Sequence, residues 1–159
     1  MKKTYYSENL NDTEKLAEQI AEWATEQKLN KQASVIALEG ELGSGKTTFV
    51  QSLGKKLGIE KKILSPTFVI LKKFKLNKTF DKFYHIDCYR IETPEELLKL
   101  DFKEIVNDPD NIVIIEWADK VKSILPDNYL KLKFKVQGKN EREVEISNKQ
   151  QWSNPTIKN

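Results

Sequence analysis

One contiguous stretch, Gly40-Glu41-Leu42-Gly43-Ser44-Gly45-Lys46-Thr47, constrains the fold more than any other part of the chain. It fits the P-loop pattern, in which glycines let successive backbone N–H groups curl around phosphate oxygens without interference from Cβ atoms. Its surroundings fit as well. Ser34-Val35-Ile36-Ala37-Leu38 is a short apolar run with the β-branching of a strand, and Phe49, Val50, Leu53 and Leu57 recur at helical spacing until Gly58. Strand, glycine loop and helix in that order predict an α/β domain whose helix N-terminus points its positive dipole end at an anion.

The chain has 159 residues, 32% charged and 38% hydrophobic, which fits one domain rather than a disordered tail or a two-domain enzyme. We expect that domain over 1–147, followed by a polar, loosely held tail over 148–159 that has lost periodicity. Lys and Arg total 27 against 24 Asp and Glu, and a net charge of +3 does not by itself announce a nucleic-acid or membrane surface. No apolar run approaches the roughly twenty residues of a membrane span, and Met1 to Tyr6 lacks a signal-peptide core. A soluble cytoplasmic protein without a membrane partner is expected. Cys88 is the only cysteine and His85 the only histidine, so neither an internal disulfide nor a zinc cluster is available.

Leu16, Ala17, Ile20, Trp23 and Ala24 mark an amphipathic helix, and Asn11 with Glu14 resembles its capping box. Phe68–Phe74 and Phe83–Ile86 read as two strands of a hairpin. Thr93, Pro94 and Glu96 have the form of a helix start ahead of Leu97, Leu98 and Leu100. The uninterrupted Ile112-Val113-Ile114-Ile115 is the pattern of a strand buried on both faces of a mostly parallel sheet. Leu130–Val136 and Glu143–Ile146 alternate as a second hairpin, with lysines facing glutamates on its polar side. Together these predict a single P-loop NTPase-like domain, with parallel strands around the loop and antiparallel strands at one side.

Within the loop, Lys46 is placed to reach the outer phosphates and Thr47 to give its hydroxyl to Mg2+. Glu41 is expected to point outward, because a carboxylate among phosphate donors repels the ligand. Phosphoryl transfer also needs a metal-side carboxylate and a group that positions water. Glu116 ends the most buried strand, and Asp87 follows another apolar run; either is placed for these tasks at the carboxyl edge of the sheet. Ser65-Pro66-Thr67 is a switch segment able to bring a hydroxyl to the γ-phosphate, or an ordinary Pro turn. Trp117 reads as a stacking platform or as core, and His85 and Cys88 as packing residues. Lys72–Lys78 reads as an RNA contact or as a solvated basic face. No Asn-Lys-x-Asp segment of guanine-specific GTPases occurs, which favours ATP. Arg90 and Arg142 are the only arginines, too few for the Arg-rich lid of a small-molecule kinase. That kinase and a nucleotide-gated binding module are the alternatives to partner-coupled hydrolysis.

Gly40–Thr48, Ser65-Pro66-Thr67-Phe68, His85-Ile86-Asp87-Cys88-Tyr89-Arg90 and Ile115-Glu116-Trp117 together resemble the TsaE family. The resemblance implies a bacterial ATPase that works with TsaD and TsaB to make threonylcarbamoyladenosine at position 37 of tRNAs reading codons that begin with A. tRNA would be met only through that complex. By matching blocks it implies that Glu41, Leu42, Gly43, Ser44, Gly45, Lys46, Thr47 and Thr48 hold ATP. It places Thr47, Glu116 and Asp87 on the Mg2+ side, and Glu116, Asp87 and Thr67 in catalysis. Thr13 is matched to a position beside the adenine, and Arg142 to a basic residue on the nucleotide side.

Overall fold

The computed structural model describes residues 2–66, 68–148 and 158. Its elements are β1 (Lys2–Ser7), α1 (Leu10–Glu26), β2 (Ser34–Glu39), α2 (Lys46–Lys56), β3 (Leu71–Lys75), β4 (Lys82–Asp87), α3 (Pro94–Leu98), α4 (Phe102–Asn107), β5 (Asn111–Glu116), β6 (Leu130–Val136) and β7 (Arg142–Asn148). Short 3₁₀ turns cover Gln27–Leu29 and Ala118–Ile124. The seven strands form one sheet in the order β1-β7-β6-β2-β5-β4-β3. β2 runs parallel to β5 and β6, and β5 runs parallel to β4. The predicted mixed sheet is therefore present, with antiparallel pairs closing both edges, β3 on β4 at one and β6-β7-β1 at the other.

Period-two alternation assigns the central strands to two layers. Ile36, Leu38, Phe83, Ile112 and Ile114 face α1 and α2, where Leu16, Ile20, Trp23, Phe49 and Leu53 complete one core. Val35, Ala37, Ile86, Val113 and Ile115 face the opposite layer, with Leu97, Phe102 and Val121. The rings of Phe49 and Phe134, 5.7 Å apart, tie the P-loop helix to β6. The helix start at Thr93 has the predicted capping box, with Pro94 in its first turn. The second hairpin sets lysines against glutamates as predicted, and its register pairs Lys133 with Glu145 and Lys135 with Glu143.

Three expectations need correction. α1 starts earlier than Asn11: Asn9 is the cap, its side chain accepting from the Asp12 N–H at 3.1 Å, while Asp12 reaches back to the Glu8 N–H at 3.2 Å. The capping pair is thus Asn9 and Asp12. The strand predicted over Phe68–Phe74 starts later and runs one residue further, over Leu71–Lys75. The Pro66 carbonyl accepts from both Val69 and Ile70 N–H groups, and Ile70 stands at φ 63°, so the chain turns before the ladder begins. β1 has no counterpart in the sequence reading; it pairs with β7 and turns Tyr5 and Ser7 inward. Of the segment read as a tail, Asn148 belongs to β7 and the Lys158 backbone exchanges two hydrogen bonds with the Gln19 side chain. Its other residues lie outside the described set.

Candidate functional site

The carboxyl ends of β2, β4 and β5 meet at one place. Strand register sets Asp87 opposite Glu116 and Leu38 opposite Glu116. Alternation then turns Asp87 and Glu116 onto the sheet face covered by α2, the helix that the glycine loop opens. The loop leaves β2 through Gly40, whose φ is +140° and where an added Cβ would stand 2.6 Å from the Phe134 carbonyl oxygen. Gly45, at φ 103°, is the residue before α2, a left-handed conformation that costs glycine little. Glu41 is exposed, as its charge requires, and Leu42 is 77% exposed.

Lys46 is buried and folds back over the loop. Its ammonium donates to the carbonyls of Gly40 at 2.6 Å and Glu41 at 2.9 Å, and lies 4.1 Å from the centroid of the Trp117 ring. Burial lowers its pKa, opposed by the nearby Glu116, Asp87 and Asp119 carboxylates. Thr47 donates its hydroxyl proton to Glu116 Oε1 at 2.8 Å. Glu116 is 2% exposed, and its second oxygen lies 2.7 Å from His85 Nε2. Asp87 accepts from the Ser65 hydroxyl at 2.6 Å and from the Tyr89 N–H at 2.9 Å, which anchors the segment before Pro66 to the end of β4. Burial, with Asp87 alongside, pushes the Cys88 thiol up to about 12, so it stays protonated and is no nucleophile at neutral pH.

These groups line a cleft of about 400 Å³ that includes Lys46, Thr47, Ser65, Asp87, Glu116 and Trp117. A second cleft of about 340 Å³ adjoins it, lined by Ser7, Asn9, Thr13, Phe134 and Asn140, and shares Gly45, Thr48 and Arg142 with the first. Thr13 Oγ1 lies 2.9 Å from the Ser7 hydroxyl in this second cleft. Arg142 stands where the two join: Nε donates to the Ser44 carbonyl at 3.0 Å and Nη2 to the Gly43 carbonyl at 3.3 Å. The structure thus gathers Leu42–Thr48, Asp87, Glu116, Thr13 and Arg142 around one continuous surface, whereas Glu41, matched to the nucleotide-holding set, turns its side chain to solvent and offers only its carbonyl, to Lys46. Thr67 lies outside the described residues.

Sequence reasoning missed two features of this site. Trp117 packs half-buried against the second core, as one of its two readings had it, and what escaped is its place beside the lysine: in the left-handed region at φ 58°, its ring lies 5.1 Å from that of Tyr89. The adjacency of Glu and Trp at the end of an apolar strand was the available signal. His85 touches the site's central carboxylate, a contact that nothing local in the sequence discloses.

The donor set can be tested against magnesium. Among the described residues no group of three or more His, Cys, Asp or Glu side chains forms a closed metal cage. Mg2+ bound with a nucleotide does not need one, because one or two carboxylates and a hydroxyl suffice when phosphates and water complete the shell. Thr47, Glu116 and Asp87 are hard oxygen donors of that kind. No helix of the described residues is long and apolar enough to cross a membrane.

Comparison with known proteins gives a consistent result. Residues 7–144 match the family model described as threonylcarbamoyl adenosine biosynthesis protein TsaE. A protein of Bacillus subtilis (strain 168), named tRNA threonylcarbamoyladenosine biosynthesis protein TsaE, is 36% identical over 136 residues, covering 86% of this chain and 79% of its own. Proteins of the same name from Rickettsia prowazekii (strain Madrid E) and Treponema pallidum (strain Nichols) are 37% and 33% identical. They cover 70% and 82% of this chain, and 76% and 95% of their own lengths. Among solved structures, YdiB of Bacillus subtilis superposes with a TM-score of 0.67 at 27% identity, over 92% of this chain and 84% of that one.

Proposed function

The chain belongs to the TsaE family, named for tRNA threonylcarbamoyladenosine biosynthesis, and from that premise we propose that it is a Mg2+-dependent ATPase serving this modification. The observation that carries the reading is the joint placement of Lys46, Thr47 and Glu116, with the Thr47–Glu116 hydrogen bond at 2.8 Å. The triphosphate lies along the loop from Gly40 to Thr48, and the nucleoside extends past Arg142 into the cleft beside Thr13. Lys46 exchanges its carbonyl partners for phosphate oxygens and offsets the charge that develops on them. Thr47, Glu116 and Asp87 would hold Mg2+, which when bound neutralises phosphate charge. Glu116, a buried carboxylate facing the cleft, orients the attacking water and accepts its proton. Asp87 and the segment from Ser65 to Thr67 sense the terminal phosphate, since the Ser65 hydroxyl is tied to the Asp87 carboxylate at 2.6 Å. ATP is the nucleotide, in keeping with the absence of a guanine-reading segment.

By resemblance, the partners are TsaD-like and TsaB-like subunits, and tRNA is met through that complex in the cytoplasm. Only two arginines occur in the chain. Arg142 is occupied by loop carbonyls, and the Arg90 guanidinium carbon lies 4.6 Å from the Phe68 ring centroid. Weak hydrolysis by the isolated chain and stimulation by its partners follow from this scarcity.

Phosphate release from ATP by the wild type, Lys46→Ala and Glu116→Gln tests the mechanism. Lys46→Ala abolishes turnover together with binding. Glu116→Gln lowers turnover by roughly 100-fold, within the range for a lost general base, while nucleotide binding measured without Mg2+ persists. Wild-type turnover in both variants contradicts the proposal. A small-molecule kinase would instead transfer the phosphoryl group to an added hydroxyl compound without releasing free phosphate.

A further inference from the structure

Glu116 is 2% exposed, and both of its carboxylate oxygens are engaged: Oε1 by the Thr47 hydroxyl at 2.8 Å and Oε2 by His85 Nε2 at 2.7 Å. A buried carboxylate on a flexible side chain needs two donors to hold one rotamer, and loss of either leaves an oxygen unpaired. His85 is fully buried in the middle of β4, opposite Ile114 of β5, and does not line the phosphate cleft. Its other nitrogen, Nδ1, has no hydrogen-bond partner among the described residues. Nε2 therefore donates to Glu116, because a carboxylate oxygen only accepts and a bare Nε2 at 2.7 Å would face it lone pair to lone pair.

The geometry points to His85 as a positioning residue that fixes the Glu116 carboxylate and, through it, the hydroxyl of Thr47. A threonine hydroxyl has one proton and two lone pairs. By accepting the proton, Glu116 leaves both lone pairs of Thr47 available to a cation, and the imidazole holds Glu116 where it can do so. The chain of contacts runs from β4 through β5 to the first turn of α2, linking three elements that no local sequence pattern connects. It acts like the outer partners of a metal site, whose loss typically costs about 10–100-fold in metal affinity or activity. This inference rests on the Mg2+-nucleotide reading above.

The experiment has an arm that does not need activity. As the only histidine, His85 gives a single imidazole signal in a ¹⁵N-labelled sample. Two-bond ¹H–¹⁵N correlation of the nucleotide-free protein should show Nε2 protonated; an Nε2 without a proton overturns the inference. In the second arm, ADP binding is measured by calorimetry with Mg2+ and in EDTA. His85→Leu, which keeps volume but lacks the donor, should lose roughly 10-fold or more of the affinity gained from Mg2+, with the affinity in EDTA unchanged. His85→Gln, which restores an N–H donor, should recover most of that gain. The loss should vanish when Glu116 is already Gln, since the two residues act in series. Equal losses with and without Mg2+, an unaffected Leu variant, or an undiminished loss beside Glu116→Gln would overturn the assignment. If His85→Leu does not fold, the Gln variant and the Nε2 proton decide. A wild type that binds nucleotide without hydrolysing it would defeat the ATPase reading and leave these outcomes interpretable.

Discussion

Gly40 shows how far one residue can be constrained. Its φ of +140° disfavours any side chain, and a Cβ there would meet the Phe134 carbonyl at 2.6 Å and the Ser44 hydroxyl at 2.8 Å. Gly40→Ala should therefore destabilise the fold by about 1–3 kcal/mol, read as a lower urea midpoint at unchanged slope; an unchanged midpoint would contradict this. At the same scale, the sequence disclosed what is contiguous. Lys46, Thr47 and the outward Glu41 could be placed because the loop sets its residues consecutively. It did not disclose what is joined only by folding. Ser65 and Asp87 are 22 positions apart, His85 and Glu116 31, and Arg142 stands 99 positions from the Gly43 carbonyl it caps. Asp87 and Glu116 were legible as strand-end acids, whereas their partners were not.

Among the elements, those with a period or a cap were readable. The buried run of β5 announced a parallel strand, Thr93 with Glu96 announced α3, and alternation announced the β6–β7 hairpin. β1 escaped because lysines and tyrosines at a terminus have little apolar contrast, and only pairing with β7 makes it a strand. The ladder face of β1, β7 and β6 also makes a prediction about acid. Hydrogen bonds from Lys135 and Lys2 hold the Glu145 carboxyl down, from 4.5 to about 2. A depressed folded-state pKa means that this pairing stabilises the fold above about 4.5 and is lost as pH falls through about 2. Lys135→Met should raise the Glu145 midpoint toward 4.5 in a carboxyl-carbon NMR titration and move acid unfolding to higher pH. A midpoint still near 2 in the variant would assign the shift to something else.

For the molecule as a whole, the fold class followed from strand, glycine loop and helix, but the strand order did not. That β2 lies between β5 and β6 depends on long-range pairing that periodicity does not encode. The consequence is functional, because this order brings the ends of β2, β4 and β5 beside the loop, where open α/β sheets bind their ligands. Arg142, from the far hairpin, then closes the join between the two clefts. A ligand filling both should stabilise the native state by mass action. The most direct measurement is calorimetric titration of ATP with Mg2+ into the wild type and Lys46→Ala. Our account predicts saturable one-to-one binding to the wild type that Lys46→Ala abolishes; a folded wild type giving no binding heat across several temperatures, or equal binding by both, would contradict it.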